Sequence, residues 1–145
     1  MTTTYLKLPY VDSVLRPGAL RAVVLARGPV GFTLDIGLNY YRGLPLSTIE
    51  RFELTVDGER IADHLLLFEH DRTLLPLSAL AQAFTEFWSV KKPLRVRVYQ
   101  GGLASGDHEV GVTLVLRSPY MRLGPGAWGM IDGSASRTLT LQEAE

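Results

Sequence analysis

The stretch that decides the fold is residues 31–61, GFTLDIGLNYYRGLPLSTIERFELTVDGERI. Two of its segments alternate apolar and polar residues, which is the pattern of half-buried β-strands. The apolar residues that share a face are Phe32, Leu34, Ile36 and Leu38 in the first segment and Phe52, Leu54 and Val56 in the second. An Asp-Gly pair at positions 57 and 58 then gives the strongest short hairpin signal in the chain. The stretch therefore predicts strands joined by reversing turns.

Sequence on both sides of this stretch predicts more strands of the same kind. Polar residues 69–72 have the size of a hairpin tip between two apolar runs, and glycine-rich residues 100–107 are predicted to close a long hairpin. The predicted strands cover residues 20–26, 30–38, 49–56, 60–62, the two runs that flank 69–72, 94–99 and 109–117. About eight strands with antiparallel turn signals and no alternation of strand and helix indicate an all-β fold. We predict an antiparallel β-sandwich or jelly-roll-like barrel.

Three other regions complete the predicted architecture. Residues 77–87 favour one short helix of one or two turns, which Ser78 could cap and in which Phe84 lies on the apolar face. Residues 1–18 are expected to form an extended arm, and residues 122–145 an irregular tail with at most one strand. With 145 residues the chain is long enough for one domain with a proper core and too short for two ordinary ones. We therefore expect a single domain.

Composition disfavours several classes of partner. The chain has 15 Lys and Arg against 15 Asp and Glu, so it has no net charge to attract nucleic acid or an anionic membrane. It contains no cysteine, which excludes disulfides and thiolate chemistry. No apolar run approaches the roughly 20 residues that span a bilayer, and the N-terminal sequence lacks the pattern of a signal peptide. A cytoplasmic location is the expectation.

Catalytic chemistry has no strong motif in this sequence. Histidines His64, His70 and His108 never form a two-residue ligand spacing, although distant strands can bring ligands together. His70 lies between Glu69 and Asp71, but polar residues are ordinary at an exposed hairpin tip, and the same holds for His108 beside its acidic neighbours. The serines lack a nucleophile-elbow pattern, and the glycine pairs do not match a phosphate loop. We predict no catalytic residue and no metal site in this chain.

The connection between the two central strands, residues 39–47, is the candidate functional segment. Two tyrosines and an arginine, Tyr40, Tyr41 and Arg42, add large amphipathic surface where folding alone favours small turn residues. In one interpretation a tyrosine covers the edge of the core while the arginine caps a sheet end. In the other interpretation the segment is an interface, because Tyr and Arg are enriched at binding hot spots. Of the two tryptophans, Trp88 is predicted to be buried.

Several short pieces of the chain, taken in order, resemble the small (β) subunit of bacterial C-glycoside deglycosidases. The resemblance covers residues 31–121, and its specificity comes from the order and spacing of the pieces. They are Gly31-Phe32, Tyr40-Tyr41-Arg42-Gly43, Pro45-Leu46-Ser47, Ile49-Glu50, Val56-Asp57-Gly58-Glu59, Gly102-Leu103, Gly106-Asp107-His108-Glu109-Val110 and Tyr120-Met121.

The resemblance implies a β-sandwich subunit without catalytic residues or cofactor of its own. Its expected partner is a larger α subunit with a sugar-isomerase-like TIM-barrel fold, which carries a divalent metal, usually manganese, and a histidine base. The αβ hetero-oligomer cleaves the C–C bond between a 3-keto sugar and an aromatic, flavonoid-like aglycone. On this interpretation a set of residues lies at the subunit interface, near the mouth of the partner's active site. The set is Tyr40, Tyr41, Arg42, Gly43, Tyr120 and Met121.

Two other functions fit the same sequence. A stand-alone carbohydrate-binding β-sandwich module would stack Tyr40, Tyr41 and an exposed Trp128 on a sugar. A self-sufficient jelly-roll metalloenzyme would use His64, His70 or His108 as a ligand. The first needs no partner chain, and metal analysis of the isolated chain would test the second.

Overall fold

The computed structural model describes residues 5–125 and 127–144, and for residues 121–123, 127 and 128 it describes the backbone only. Two mainly antiparallel sheets pack face to face, which confirms the predicted all-β sandwich. The strands are β1 Tyr5–Leu6, β2 Leu20–Leu25, β3 Gly28–Ile36, β4 Leu44–Pro45, β5 Ile49–Val56, β6 Glu59–Arg60, β7 Leu66–His70, β8 Thr73–Pro76, β9 Phe87–Trp88, β10 Leu94–Val98, β11 Asp107–Gly124, β12 Ala127–Asp132 and β13 Ala135–Thr140.

The strands form two main sheets and a small ribbon. Sheet 1 has the order β2-β3-β10-β7-β8, and sheet 2 has the order β1-β12-β11-β5-β6 with β13 also paired to β11. The ribbon consists of β4 and β9. Every pair between strands is antiparallel except β1 with β12, within the part of the chain that the structure describes. Strand β3 belongs to sheet 1 and strand β5 belongs to sheet 2, so the connection between them crosses from one sheet of the sandwich to the other.

The core lies between the two sheets and contains the predicted apolar faces. Phe52 on β5 meets Phe68 on β7 edge to face, with ring centroids 5.0 Å apart and an interplanar angle of 83°. Trp88 is also buried, as predicted. The seven residues of the two predicted faces are all buried, namely Phe32, Leu34, Ile36, Leu38, Phe52, Leu54 and Val56. Period-2 patterning therefore identified the inner faces correctly.

The two short hairpins were predicted correctly in place. Asp57 and Gly58 have φ angles of 52° and 81°, the left-handed pair that a two-residue hairpin turn requires, and they join β5 to β6. At the second hairpin the turn is narrower than the predicted four residues. Only Asp71 and Arg72 lie between β7 and β8, with φ angles of 44° and 70°.

The long hairpin predicted across residues 100–107 is wrong. Strand β10 pairs with β3 and β7 in sheet 1, whereas β11 pairs with β5, β12 and β13 in sheet 2. Both edges of each strand are therefore occupied by other partners. The glycine-rich segment crosses from one sheet to the other instead of closing a turn between neighbours.

The predicted short helix is confirmed in place, but its cap, its apolar face and the predicted tail differ from the structure. Residues Leu77–Gln82 form a 3₁₀ helix, whose first turn follows Pro76 and receives no side-chain cap from Ser78. Phe84 is 67% exposed, so it does not belong to an apolar face. The C-terminal tail is ordered into β12 and β13 because the long strand β11 offers an open edge to both.

The N-terminal arm packs on the sandwich. Strand β1 pairs with β12, and Val14 and Leu15 are buried after the short 3₁₀ helix Val11–Ser13. The remaining 3₁₀ helices of the described residues are Leu46–Thr48 and Asp63–Leu65. No helix among the described residues has the length and apolar character needed to cross a membrane.

His108 is not the exposed turn residue that its acidic neighbours suggested. It is buried, with Nδ1 2.6 Å from a carboxylate oxygen of Asp57 and Nε2 2.6 Å from the carbonyl oxygen of Ala104. The hydrogen bond to Asp57, followed by the one to Ala104, raises the pKa of His108. The hydrogen bond from His108 lowers the pKa of Asp57. This ion pair joins the β5–β6 hairpin to the start of β11.

Because of this ion pair, we expect the stability of the fold to fall as the pH becomes alkaline. Since the pKa of His108 is raised on folding, its contribution is complete below its unfolded value of about 6.5 and is lost as pH rises through the folded value. The contribution of Asp57, whose pKa is lowered, is lost only as acid pH falls through its folded value. We expect the urea midpoint of the wild type to fall as pH rises above about 6.5.

The variant Asp57→Asn tests this expectation. Asparagine accepts the left-handed backbone at this position, so the turn is kept and the charge is removed. The alkaline fall in the urea midpoint should flatten in Asp57→Asn and persist in His64→Gln, which removes an exposed histidine elsewhere. An unchanged fall in Asp57→Asn would assign the effect to another group.

Candidate functional site: a tyrosine surface at the sheet crossover

The crossover from β3 to β4 is held in place by a buried asparagine. The side-chain oxygen of Asn39 accepts a hydrogen bond from the backbone N–H of Tyr10 at 2.9 Å. Its amide nitrogen donates to the carbonyl oxygen of Asp132 at 3.4 Å. Asn39 is fully buried, so these bonds satisfy polar atoms that water does not reach. The crossover is thereby tied to the N-terminal arm and to the end of β12.

The two tyrosines of the crossover have opposite environments. Tyr40 is 2% exposed, and its hydroxyl lies 2.6 Å from the hydroxyl oxygen of Ser118 on β11. Burial raises the pKa of Tyr40, so its phenol stays neutral at physiological pH. Tyr41 is 56% exposed, and its ring centroid lies 4.4 Å from that of Tyr40. One tyrosine therefore closes the edge of the core, and the other is presented to solvent on top of it.

Arg42 and Tyr120 extend this exposed area. The guanidinium carbon of Arg42 lies 3.9 Å from the ring centroid of Tyr120, which is cation–π geometry. Tyr120 is 43% exposed on β11, and Arg42 is also exposed. We call the group of Tyr41, Arg42 and Tyr120 the tyrosine surface. It joins residues that are far apart in the sequence, and the arginine covers an aromatic ring rather than capping a sheet end.

Gly43 allows the chain after the tyrosine surface to pack closely against Phe87 and Trp88. A Cβ atom at this position would lie 2.4 Å from the ring of Phe87 and 2.8 Å from the carbonyl oxygen of Trp88, which leaves no space for a side chain. The close approach lets β4 pair with β9 directly after the crossover. Of the other predicted site residues, Met121 lies in β11 next to Tyr120, and its side chain is outside the described part of the structure.

A cleft opens beside the tyrosine surface. It has a volume of about 440 Å³ and lies between the N-terminal arm, the end of β3 and the segment before β10. Tyr10, Tyr40 and Tyr41 line one part of it, and Lys91 and Pro93 line another. Sequence reasoning missed this cleft because its walls come from segments that only the docked arm brings together.

The three predicted histidines do not converge on one site. His64 is exposed on a 3₁₀ helix, and His108 forms the ion pair with Asp57. His70 lies at the β7–β8 hairpin with Asp71 and Glu86, whose ligand atoms form the one group of this kind among the described side chains. Glu86 could not be inferred as a neighbour from sequence, since it lies 16 residues from His70. The three histidines therefore lie at three separate places in the fold, and His70 alone lies beside two carboxylates in a group of possible ligands.

Comparison with known proteins gives one consistent family. A family model described as "C-glycoside deglycosidase beta subunit" matches residues 10–120, which includes part of the arm as well as most of the segment that carried the resemblance. A "3'-dehydrocarminate deglycosidase beta subunit" from a Microbacterium species is 35% identical over 63% of this chain and 69% of its own length. A "C-glycoside deglycosidase beta subunit" from Microbacterium trichothecenolyticum is 30% identical over 88% of this chain and 94% of its own length.

The matched range contains Tyr41, Arg42 and Tyr120 together with the crossover that presents them. It ends at the strand position where Tyr120 meets the arginine. The family model covers more than half of the chain. The similarity to the Microbacterium trichothecenolyticum relative extends over 88% of this chain. The chain belongs to the C-glycoside deglycosidase beta subunit family.

Proposed function

We propose that this chain is the accessory β subunit of a hetero-oligomeric C-glycoside deglycosidase. The complex cleaves the C–C bond between a 3-keto sugar and an aromatic, flavonoid-like aglycone. Family membership supports the role of a β subunit, and the relative named for 3'-dehydrocarminate supports an oxidised glycoside as the substrate class. A β subunit implies an α partner, for which we propose the TIM-barrel, sugar-isomerase-like fold.

The proposal gives the bond-breaking chemistry to the α subunit. There a histidine would act as the base for the proton beside the keto group, and a divalent metal, manganese, would supply positive charge for the negative charge that develops at the keto oxygen. The tyrosine surface of the β subunit offers two phenols and a guanidinium, which donate hydrogen bonds and contribute aromatic contact area. Its groups are suited to contact and orientation rather than to proton abstraction.

The observation that carries the proposal is a preorganised, exposed surface of tyrosine and arginine inside the family-matched residues. Tyr41 rests on the buried Tyr40, and Arg42 is held over Tyr120. Side chains that are already ordered lose little conformational entropy when a partner binds. Tyr and Arg are also the residue types most enriched at hot spots of protein interfaces. We therefore propose that the tyrosine surface meets the α subunit near the mouth of its active site.

The double variant Tyr41→Ala/Arg42→Ala tests this interface. Truncation of one hot spot costs at least about 2 kcal/mol, which is about 30-fold in Kd. We expect the double variant to bind the α subunit at least about 30-fold more weakly in surface plasmon resonance. Deglycosidase activity at a fixed, low subunit concentration should fall in parallel and recover when the β subunit is added in excess.

The control is Tyr99→Ala, which removes a tyrosine of exposure equal to that of Tyr120. The backbone of Tyr99 lies against Gly31 near the start of β3, at the opposite end of this strand from the crossover. Affinity for the α subunit should be unchanged in this variant. Wild-type affinity and activity in Tyr41→Ala/Arg42→Ala would overturn the proposed interface. Sugar binding by the isolated chain in calorimetry would support the carbohydrate-binding module instead.

A further inference from the structure

We propose that His70, Asp71 and Glu86 form a binding site for a divalent transition-metal ion, with zinc as the best fit. One ligand atom from each residue lies within 4.8 Å of the other two. His70 and Asp71 belong to the β7–β8 hairpin, whereas Glu86 directly precedes β9. A bound ion would therefore cross-link sheet 1 to the β4–β9 ribbon. This site is separate from the tyrosine surface, and the inference does not depend on the proposed function.

The orientation of the His70 ring is the first argument for a cation. Its Nε2 atom lies 2.7 Å from the carbonyl oxygen of Phe87. A carbonyl oxygen only accepts hydrogen bonds, so Nε2 carries the proton and Nδ1 is turned towards the carboxylates. Nδ1 lies 2.5 Å from Glu86 Oε2 and 3.6 Å from Asp71 Oδ2. A bare nitrogen lone pair facing two carboxylates is repulsive, so this geometry calls for a positive species between them.

The species that fits there is either a proton on Nδ1 or a metal ion. Histidines that bind metals through one ring nitrogen commonly donate the other N–H to a backbone carbonyl, which is the arrangement of His70 and Phe87. A neutral imidazole with two carboxylates also balances the charge of a divalent ion. The side chain of His70 is only 15% exposed, so little water reaches its ring.

The backbone on both sides of the cluster is fixed independently of any ion. Asp71 and Arg72 occupy left-handed conformations that hold the tip of the hairpin. The carbonyl oxygen of Glu86 accepts a hydrogen bond from the N–H of Leu46 at 2.8 Å. The ligands therefore converge because the fold brings their two segments together, which lowers the ordering cost of binding.

The distances require only a small side-chain adjustment. Zinc binds histidine nitrogen and carboxylate oxygen at about 2.0–2.2 Å, so tetrahedral ligand atoms lie about 3.3 Å apart. The Nδ1-to-Asp71 distance of 3.6 Å is already close to this value, and the Glu86 carboxylate needs to withdraw by somewhat less than an ångström. Asp71 presents its other oxygen to Lys92 Nζ at 3.2 Å, so that ion pair can persist beside the metal. Three protein ligands leave a fourth position for water.

Calorimetry with zinc chloride on the untagged, metal-free full chain tests the site. We expect one ion per chain, a rise of Tm with zinc, and at least about 100-fold weaker binding in His70→Gln and Glu86→Gln, because loss of an outer partner alone costs about 10–100-fold. Asp71→Asn adds a variant that keeps the left-handed turn while removing the charge. His64→Gln is the matched control and should bind zinc as the wild type does.

Nitrogen-15 NMR of the histidine rings identifies the ligand atom directly. Zinc should shift the Nδ1 resonance of His70 and leave Nε2 protonated, while both resonances of His64 stay in place. The proposal is overturned if the wild type takes up no zinc at a 1:1 ratio, in which case the cation on Nδ1 is a proton. Equal zinc affinity in the wild type and His70→Gln would overturn it as well.

Discussion

We expect Phe52→Ala to lower the free energy of unfolding by about 3–5 kcal/mol. Phe52 is buried between the sheets and meets Phe68 edge to face at 5.0 Å. Its removal loses apolar burial, leaves a cavity and breaks an aromatic contact that joins sheet 2 to sheet 1. Small domains are stable by only about 5–15 kcal/mol, so this variant approaches the limit of folding. Urea unfolding measures the change.

Phe84→Ala is the matched control for this prediction. Phe84 is the same residue type but is 67% exposed, so its truncation should change the free energy of unfolding by less than about 0.5 kcal/mol. Phe52→Leu keeps most of the buried volume and should fall between the two. Similar losses in Phe52→Ala and Phe84→Ala would contradict a core centred on the contact between the two sheets.

Gly37→Ala should detach the N-terminal arm and cost about 1–3 kcal/mol. A Cβ at this position would lie 1.9 Å from the carbonyl oxygen of Ser13, a backbone atom that cannot rotate away. The arm would have to retreat by more than roughly an ångström to reach van der Waals distance. That movement would break the hydrogen bond from the N–H of Gly37 to the carbonyl oxygen of Val14, now 2.9 Å long. It would also reshape the cleft, since Ser13, Val14 and Gly37 all line it.

Limited trypsin digestion and urea unfolding together measure this effect. Cleavage after Lys7 should become faster in Gly37→Ala, because detachment exposes the arm to the protease. Gly124→Ala is the control, since a Cβ there meets no atom within 4 Å and the residue does not need a left-handed backbone. Wild-type digestion of Gly37→Ala, with an unchanged urea midpoint, would mean that the arm is not held by this close approach.

The sequence predicted the parts of the fold that depend on local pattern. Alternation identified the buried faces of β3 and β5, and Asp57-Gly58 identified a hairpin because its left-handed turn is a local property of two residues. The sequence did not reveal that the chain after β10 leaves its sheet. Glycines at 101 and 106 do adopt positive φ, but that freedom serves a crossover as well as a turn. Whether this segment forms a hairpin or a crossover depends on the pairing of the flanking strands. Strand β10 pairs with β3 and β7, and β11 pairs with β5, so β10 and β11 are not neighbours.

The predicted tail failed for a related reason. Its many small residues indicated irregular structure, yet they form β12 and β13 because β11 runs far enough to offer them a long edge. Tertiary pairing overrode weak local preference there.

The sequence identified which residues form the candidate site but not how they are arranged in space. Tyr40, Tyr41 and Arg42 were identified as unusual for a connection. The structure shows that Tyr40 closes the edge of the core and that Tyr41 is exposed, and the interface stays a prediction. The resemblance also identified Tyr120, but the stacking of Arg42 on this ring joins two elements and has no local signal. The convergence of Glu86 on His70 has no local signal either, because it depends on how the β4–β9 ribbon packs against the β7–β8 hairpin.

The position of β11 between early and late strands has a consequence for synthesis on the ribosome. Every strand of sheet 1 has left the ribosome once Val98 is free, but sheet 2 needs β11 and then the strands that end at Thr140. At that stage the growing chain therefore has the strands of sheet 1, and the apolar inner face of this sheet is exposed to solvent because sheet 2 is still missing. Nascent chains in this state depend on chaperones or on rapid completion to avoid aggregation. The subunit can become competent to meet another chain only after its last strands are released, so assembly during translation is disfavoured.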